Sequence, residues 1–377
     1  MRVLFLVSDN CWSASARAFV LAARGLAAKG HDVVLACQTD CPVQVRAGEA
    51  AVPVIKLEPD ASAAGSAWML RKTVQERDVD VVFVHTDQEL LIASSAMRLG
   101  RGAGTVIQRV PPFAIASPGR GSRLATRIAP TGLLFSTEAD RQAADVKRYR
   151  VPSAVAPLAV DPTVHEAVRE TSKASLGAPP NSLLIVCIHD GRDKRRVFTA
   201  LRTLALLAPR HPELHLAVVG AARLDELRMH GAALGINSMV SYIGERDDEL
   251  SIIRAANVGW IAADGDAAAF AALDFMAFRI PALAERHPLT EHYVADGIAG
   301  LLLAPADPTT TAASVAAFLA KDEQRVQMGN AGRARLQREF SYESMIRGFE
   351  QAISGAMERP ARPARPAPPD QPAQPVA

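Results

Sequence analysis

The sequence predicts an α/β protein built from two successive doubly wound parallel sheets. Three observations carry that expectation. Short apolar runs recur along the chain and are continuous rather than alternating, as strands buried on both faces require. Most are followed by a segment of helical period, the order that builds parallel crossovers. The pattern then restarts after a polar stretch at 163–181 that holds Gly177 and the pair Pro179-Pro180. A chain of 377 residues is natural for two such units with additions.

Residues 3–7 read as a first buried strand, and the apolar run at the start is too short for a signal peptide. Ala14 to Ala28 has helical period, with Ser13 or Ser15 as its cap, and Gly30-His31-Asp32 turns the chain into a strand at 33–37. This βαβ unit resembles a Rossmann half without the GxGxxG phosphate fingerprint, which disfavours a nicotinamide cofactor. Arg17 lies near the helix start, either against an anion or on a solvated face. Strands follow at 52–55 and 79–84, with a helix at 66–77 between them. His85 comes directly after a strand. Ligands of open parallel sheets bind outside such strand ends, so His85 is either at a crevice rim or structural. A helix at 88–99, a short strand at 106–107 leading into Arg109, a basic loop at 117–123, a strand at 133–136 and a helix running to about Tyr149 complete the first half.

In the second half, strands are expected at 183–188, 214–219, 240–243, 258–261, 282–283 and 301–303. Helices are expected at 197–207, 223–234, 247–256, 288–294, 307–320, 322–339 and 342–357. His189 to Arg196 reads as a dense charged turn. The stretch Asp264 to Ala277 carries Asp266 in a loop before a helix and Asp274 in the helix's early turns, so that both carboxylates address one pocket. The cleft between the halves is the expected site.

Composition narrows the class. Apolar residues make up 49% and charged residues 22%, as in a soluble globular protein, and a net charge of +2 gives no footprint for nucleic acid. Residues 1–160 hold 19 Lys/Arg against 14 Asp/Glu, a net +5, and the remainder 23 against 26, a net −3. A mildly basic first half suits a solvated face, an anionic membrane face or an anionic acceptor. The cysteines Cys11, Cys37, Cys41 and Cys187 form no CxxC pair, which points to a reducing cytoplasm rather than a disulfide framework or zinc site. No window is long and apolar enough for a membrane span. The Pro/Ala-rich tail 357–377 excludes helix and sheet and is expected to be disordered.

The order of elements and several motifs together resemble the GT-B glycosyltransferases of family 4, the glycosyl transferases group 1, over about residues 1–355. The family's Glu-Gly-Phe-Gly-x-x-x-Leu-Glu-Ala-Met-Ala-x-Gly-x-Pro-Val is echoed by Asp266-Ala-Ala-Ala-Phe270-Ala-Ala-Leu273-Asp274-Phe-Met276-Ala277-Phe-Arg279-Ile-Pro281. Its Asp-Gly-x-x-Gly-Leu-Leu-Val turn is echoed by Asp296 to Leu303, its Gly-His-x-Val by Gly30 to Val33, and its Pro-x-Gly-Val-Asp by Pro157 to Asp161. Phe340-Ser341-Tyr342 resembles the start of the helix that crosses back to the first domain.

This resemblance implies two Rossmann-like domains facing across a cleft. An acceptor-side domain would span 1–165, a nucleotide-sugar domain 166–338, a returning helix 339–356 and the tail 357–377. It implies transfer of a sugar from a nucleoside diphosphate to a sugar, glycolipid or polysaccharide acceptor, usually with retention and without a metal or other cofactor. Asp274 would accept from the ribose hydroxyls and Asp266 would hold the donor sugar, with Lys194, Ala267 and Phe270 on the donor side. His85 matches the family histidine near the transferring sugar. Arg195 falls at the family lysine, Asp190 at the family arginine, and Arg192 would act in that arginine's place to steady the departing diphosphate. Ser13, Ser15, Arg17 and Arg109 would serve the phosphate and acceptor side. The implied setting is cytoplasmic, with peripheral contact at the inner face of the membrane through the first domain, and synthesis of cell-envelope polysaccharide or glycolipid.

The chain departs from the family at three places. Both acids are aspartates, one methylene short. Ala267 and Ala269 stand where the family has glycines, and Ser13-Ala14-Ser15 stands where it has Gly-Gly. A second reading is therefore a weak or inactive GT-B protein that binds a sugar nucleotide or a partner. A third is a DxD metal site at Asp264-Gly265-Asp266, and a fourth a related sugar-nucleotide epimerase.

Overall fold

The computed structural model describes residues 1–59, 61–100, 104–112, 131–144, 151–220, 224–304 and 307–358. The basic loop 117–123, the helix beyond Ala144 and the tail from 359 lie outside the described residues.

The first part of the chain forms β1 (Arg2–Leu6), α1 (Ala14–Ala28), β2 (Asp32–Gln38), α2 (Pro42–Glu49), β3 (Val54–Leu57), α3 (Ala63–Arg77), β4 (Val81–Val84), α4 (Asp87–Leu99), β5 (Thr105–Arg109), β6 (Thr131–Phe135), α5 (Glu138–Ala143), β7 (Ser153–Val155) and α6 (Pro162–Ala167). The second forms β8 (Leu183–Ile188), α7 (Lys194–Leu207), β9 (Leu214–Val219), α8 (Leu224–Ala233), β10 (Val240–Gly244), α9 (Glu249–Arg254), β11 (Val258–Ile261), α10 (Gly265–Ala277), β12 (Ala282–Glu285), α11 (Pro288–Val294), β13 (Gly300–Leu303), α12 (Pro308–Leu319), α13 (Asp322–Glu339) and α14 (Tyr342–Met357).

The strands form a seven-stranded sheet, β3-β2-β1-β4-β5-β6-β7, and a six-stranded sheet, β10-β9-β8-β11-β12-β13. Every neighbouring pair is parallel. The α/β expectation from uninterrupted apolar runs is what the sheets show: β4, β9 and β11 are buried at every residue. No helix among the described residues is long and apolar enough to cross a membrane.

Three local expectations need correction. The helix bearing the two acids starts at Gly265, so Asp266 lies in its first turn and not in the preceding loop. Gly265 turns the chain into the helix with φ +54°, and the alanines that follow propagate it. Helix α7 starts at Lys194, so Lys194, Arg195 and Arg196 form a first turn rather than a loop. Asp193 caps it by accepting from the Arg195 N–H at 3.0 Å. Helices α2 and α6 were not anticipated; each opens on a proline at its first position, a start signal that their short, polar sequences obscured.

Helix α14 leaves the second sheet and lies on the first. Met345, Ile346, Phe349, Ala352 and Ile353 join the core cluster of β1, α1 and β4. Close approach sets two glycines: a Cβ on Gly25 would come within 2.1 Å of Ile346 Cδ1, and one on Gly348 within 2.4 Å of the Val155 carbonyl oxygen. The Tyr342 hydroxyl donates to the Leu21 carbonyl at 2.7 Å. Between the halves, α1 packs directly on α10, and Ala18 shares one apolar cluster with Ala268, Ala269, Phe270, Ala271 and Ala272.

Candidate functional site

Both sheets reverse their strand order at one place. β1 lies between β2 and β4, and β8 lies between β9 and β11. Crevices open beyond the carboxyl ends of strands at such points. The loop after β1 and His85 after β4 come from the first sheet; residues 189–193 after β8 and 262–264 after β11 come from the second. They face one another, since the Arg192 charge acts on Asp9 of the first half, and Arg46 bonds Asp247 Oδ1 across the rim at 3.0 Å.

On the first wall, Glu89 is fully buried and organises the backbone. Its Oε1 accepts from the Ser8 N–H at 2.6 Å and the Ser8 hydroxyl at 3.0 Å, and its Oε2 from the N–H groups of His85 at 2.9 Å and Thr86 at 3.2 Å. His85 is buried edge-on against Phe19. Its Nε2 is 3.4 Å from Asp9 Oδ2, and Glu89 Oε2 lies 2.9 Å from its Nδ1 as a charge neighbour, off the angle of a hydrogen bond. Burial opposes a charged ring, but Asp9 and Glu89 together outweigh it and push His85 up to about 9. At neutral pH the ring is an imidazolium, a donor and a charge rather than a base.

On the second wall, Arg195 folds back on its own cap, Nε to Asp193 Oδ1 at 3.0 Å, with its side chain 88% exposed. Lys194 pairs with Glu226, while Arg192 stays exposed with Asp190 Oδ2 3.8 Å from its Nε. Arg196, only 18% exposed, points inward: its Nη1 donates to the Ala263 carbonyl at 2.8 Å and lies 2.8 Å from Asp264 Oδ1 at the start of α10. Helical phase explains the difference, since consecutive residues of a first turn point about 100° apart.

The two acids of α10 reach across to the first half. Asp266 takes both guanidinium nitrogens of Arg109, at 2.7 Å to each oxygen, and the Ser15 hydroxyl at 2.7 Å. Arg109 also donates to the Ser136 hydroxyl at 3.1 Å. Asp274 takes both nitrogens of Arg17, again at 2.7 Å each, and His165 Nε2 at 2.7 Å. Arg17 lies 4.4 Å over the Phe270 ring, which is itself buried in the α1–α10 interface beside half-buried Ala267. Asp266 is 6% and Asp274 1% exposed. Burial opposes both charges, but Arg17 and His165 hold Asp274 down at about 2, and Arg109 and Ser15 hold Asp266 below the ordinary carboxylate range. Half-buried Glu249, on α9, is pushed up to about 7 by burial and by the Asp274 charge.

The structure thus brings Ser15, Arg17, Arg109, Asp266, Asp274 and Phe270 into one interface. It sets His85 and Arg192 at the mouth and leaves Lys194 and Arg195 at the surface. Ser13 caps α1, accepting from the Ala16 N–H at 3.1 Å. Sequence reasoning missed Asp9, Glu89, His165 and the inward role of Arg196. Thr86 and Glu89 do carry a capping-box spacing that locates Glu89 at a helix start. His165 follows the cap Asp161 by one turn and bonds its carbonyl through Nδ1 at 3.0 Å, a local signal; its reach to Asp274 is not local. The carboxylates of Asp264-Gly265-Asp266 take different partners, Arg196 and Arg109. Among the described residues no group of three His, Cys, Asp or Glu is placed to hold a metal.

Residues 168–335 match the family described as glycosyl transferases group 1. A D-inositol 3-phosphate glycosyltransferase of Corynebacterium kroppenstedtii is 25% identical over 303 residues, covering 78% of this chain and 65% of that protein. One from Corynebacterium jeikeium is 28% identical over 170 residues, 42% of this chain and 41% of that protein. The matches therefore span less than two thirds of these relatives' length. Among solved structures, Anabaena HepE in complex with UDP and glucose superposes with a TM-score of 0.75 at 17% identity, over 94% of this chain and 99% of that one. A glycosyltransferase from Rickettsia africae gives 0.78 at 12%, over 95% and 98%. With its two facing parallel sheets this chain has the GT-B fold, and its residues 168–335 match the glycosyl transferases group 1 family.

Proposed function

We propose that the chain moves a sugar from a nucleoside-diphosphate sugar to an acceptor, with retention at the anomeric carbon and without a metal. The observation that carries the reading is the mouth where both switch points meet. There, His85 and Arg192 face each other across Asp9, and Arg196 lies at the start of α10, each cation beside a carboxylate. A departing diphosphate needs fixed positive charge and N–H donors, and this wall supplies both. His85 would donate a hydrogen bond to the transferring sugar, held in its charged form by Asp9 and Glu89. Asp274 and Asp266 would take ribose and sugar hydroxyls once released from Arg17 and Arg109. The relatives' printed name, D-inositol 3-phosphate glycosyltransferase, supports a phosphorylated polyol acceptor, and the mildly basic first half suits an anionic acceptor met at the inner membrane face. A thermal-shift panel of UDP-, GDP- and ADP-sugars, followed by hydrolysis assays with and without EDTA, tests the reading. A shift and EDTA-resistant hydrolysis are expected; no shift and no turnover with any of them would sink it.

The second reading, a binding protein with little or no turnover, is favoured by one observation: both donor-side acids are already paired. It predicts a thermal shift without hydrolysis.

A further inference from the structure

The turn after β8 sets an anion where the donor's phosphates are expected. The Asp190 side chain is half-buried and held from two sides. Its Oδ1 accepts from the Arg192 N–H at 3.1 Å, which closes the turn through Gly191 at φ +77°. Its Oδ2 accepts from the Asp264 N–H at 3.3 Å, at the entrance of α10, where the helix dipole favours a negative charge. The Asp264 carboxylate caps nothing and faces Arg196 instead. The mouth does supply cations for a diphosphate, but each is already engaged. Arg192 approaches Asp190, Arg196 lies between Asp264 and Glu285, and His85 is flanked by Asp9 and Glu89. Among the described residues there, Asp9, Asp190, Asp264 and Glu285 outnumber His85, Arg192 and Arg196.

This balance matters most once a sugar has been transferred. When the bond from the anomeric carbon to the terminal phosphate breaks, its electron pair stays on the phosphate oxygen. The acceptor's hydroxyl oxygen takes that place on the carbon and gives up its proton to solvent. The freed diphosphate carries one ionisable oxygen more than the donor did, and that oxygen is charged above about pH 6. We propose that Asp190 is a fixed negative charge set against this oxygen, so that the freed nucleoside diphosphate is held less well than the sugar-capped donor and leaves readily. The inference rests on the donor-site reading. The same charge opposes bond breaking, in which the new negative charge develops. The signature is therefore opposite to that of a residue that positions the donor: removing Asp190's charge tightens product binding and speeds the chemical step. Two like charges about 6 Å apart at an effective dielectric constant near 40 repel by roughly a tenfold change in affinity.

The test uses the full chain and Asp190→Asn, which keeps an acceptor for the turn and removes the charge. UDP, GDP, ADP and their glucose derivatives are titrated calorimetrically against both proteins. For the nucleotide that binds, Asp190→Asn is expected to hold the free diphosphate about tenfold more tightly, while the sugar-capped form changes by less than about threefold. Single-turnover hydrolysis of the sugar nucleotide is expected to be faster in the variant. Should Asp190→Asn not fold, the wild-type chain still decides: the preference for the sugar-capped form over the free diphosphate is expected to narrow as salt is raised, because screening weakens the repulsion. Equal tightening of both forms, weaker binding of the free diphosphate or slower hydrolysis in a folded Asp190→Asn overturns the inference, as does a wild-type preference that widens with salt. Each of these leaves the donor reading standing. Binding of none of these compounds by either protein overturns the donor reading and the inference together.

Discussion

Arginine meets carboxylate in two places in this molecule, with opposite consequences. In the turn after β8, Arg195 pairs with Asp193 and Arg192 approaches Asp190, all on wet surface. Between α10 and the first half, Arg109 pairs with Asp266 and Arg17 with Asp274, in the dry interior. The forks are similar, and the surroundings decide their worth. Exposed pairs contribute little and are screened by salt. Buried ones are held by the cost of stranding either partner.

The largest effect is expected for Arg109→Ala. It leaves Asp266 charged and buried, and a loss of about 3–5 kcal/mol of stability should appear in urea or guanidinium melts. A loss within the scatter of surface substitutions would break the comparison. Arg17 keeps part of its side chain in solvent, so Arg17→Ala should cost less, about 1–3 kcal/mol. Asp274→Ala strands both Arg17 and His165, and is expected to lower the melting midpoint further than Arg17→Ala does.

The next effect is one of pH. His85 is raised from its ordinary value to about 9, so its charge-linked stabilisation is fully present below about 6.5 and disappears as pH rises through about 9. Its ring resonances should titrate with a midpoint near 9, and Asp9→Asn should move that midpoint down. A midpoint near the ordinary histidine value would remove the charged donor from the cleft mouth. The smallest effect belongs to Arg195→Ala, whose melting midpoint should match wild type at low and high salt alike. Arg196→Ala, which removes the contacts to the Ala263 carbonyl and to Asp264, should by contrast weaken nucleotide binding.

The strands were legible because parallel sheets bury both faces: 183–188, 214–219 and 258–261 stand where the apolar runs put them. The last helix stands at 342–357 as expected, with Met345, Ile346, Phe349, Ala352 and Ile353 on its buried side. The start of α10 was harder. A run of alanines has no polar face to give a period, and Asp264 to Asp266 has the composition of a loop. The two acids were visible as a spaced pair, yet their partners lie 157 and 257 residues away in sequence. Helix and strand periodicity relate near neighbours only, so nothing local marks Arg109 or Arg17 as a carboxylate's partner.

The returning helix α14 has a mechanical meaning. The chain passes between the halves twice, once after β7 and once before α14, and α14 is seated on β7 through Gly348. Two crossings side by side act as a door's paired pivots: they permit a swing about one line and resist sliding or twisting. Travel is then least beside that line and greatest at the far rim, where Arg46 touches Asp247. Any aperture would open there first, leaving the pivot edge shut.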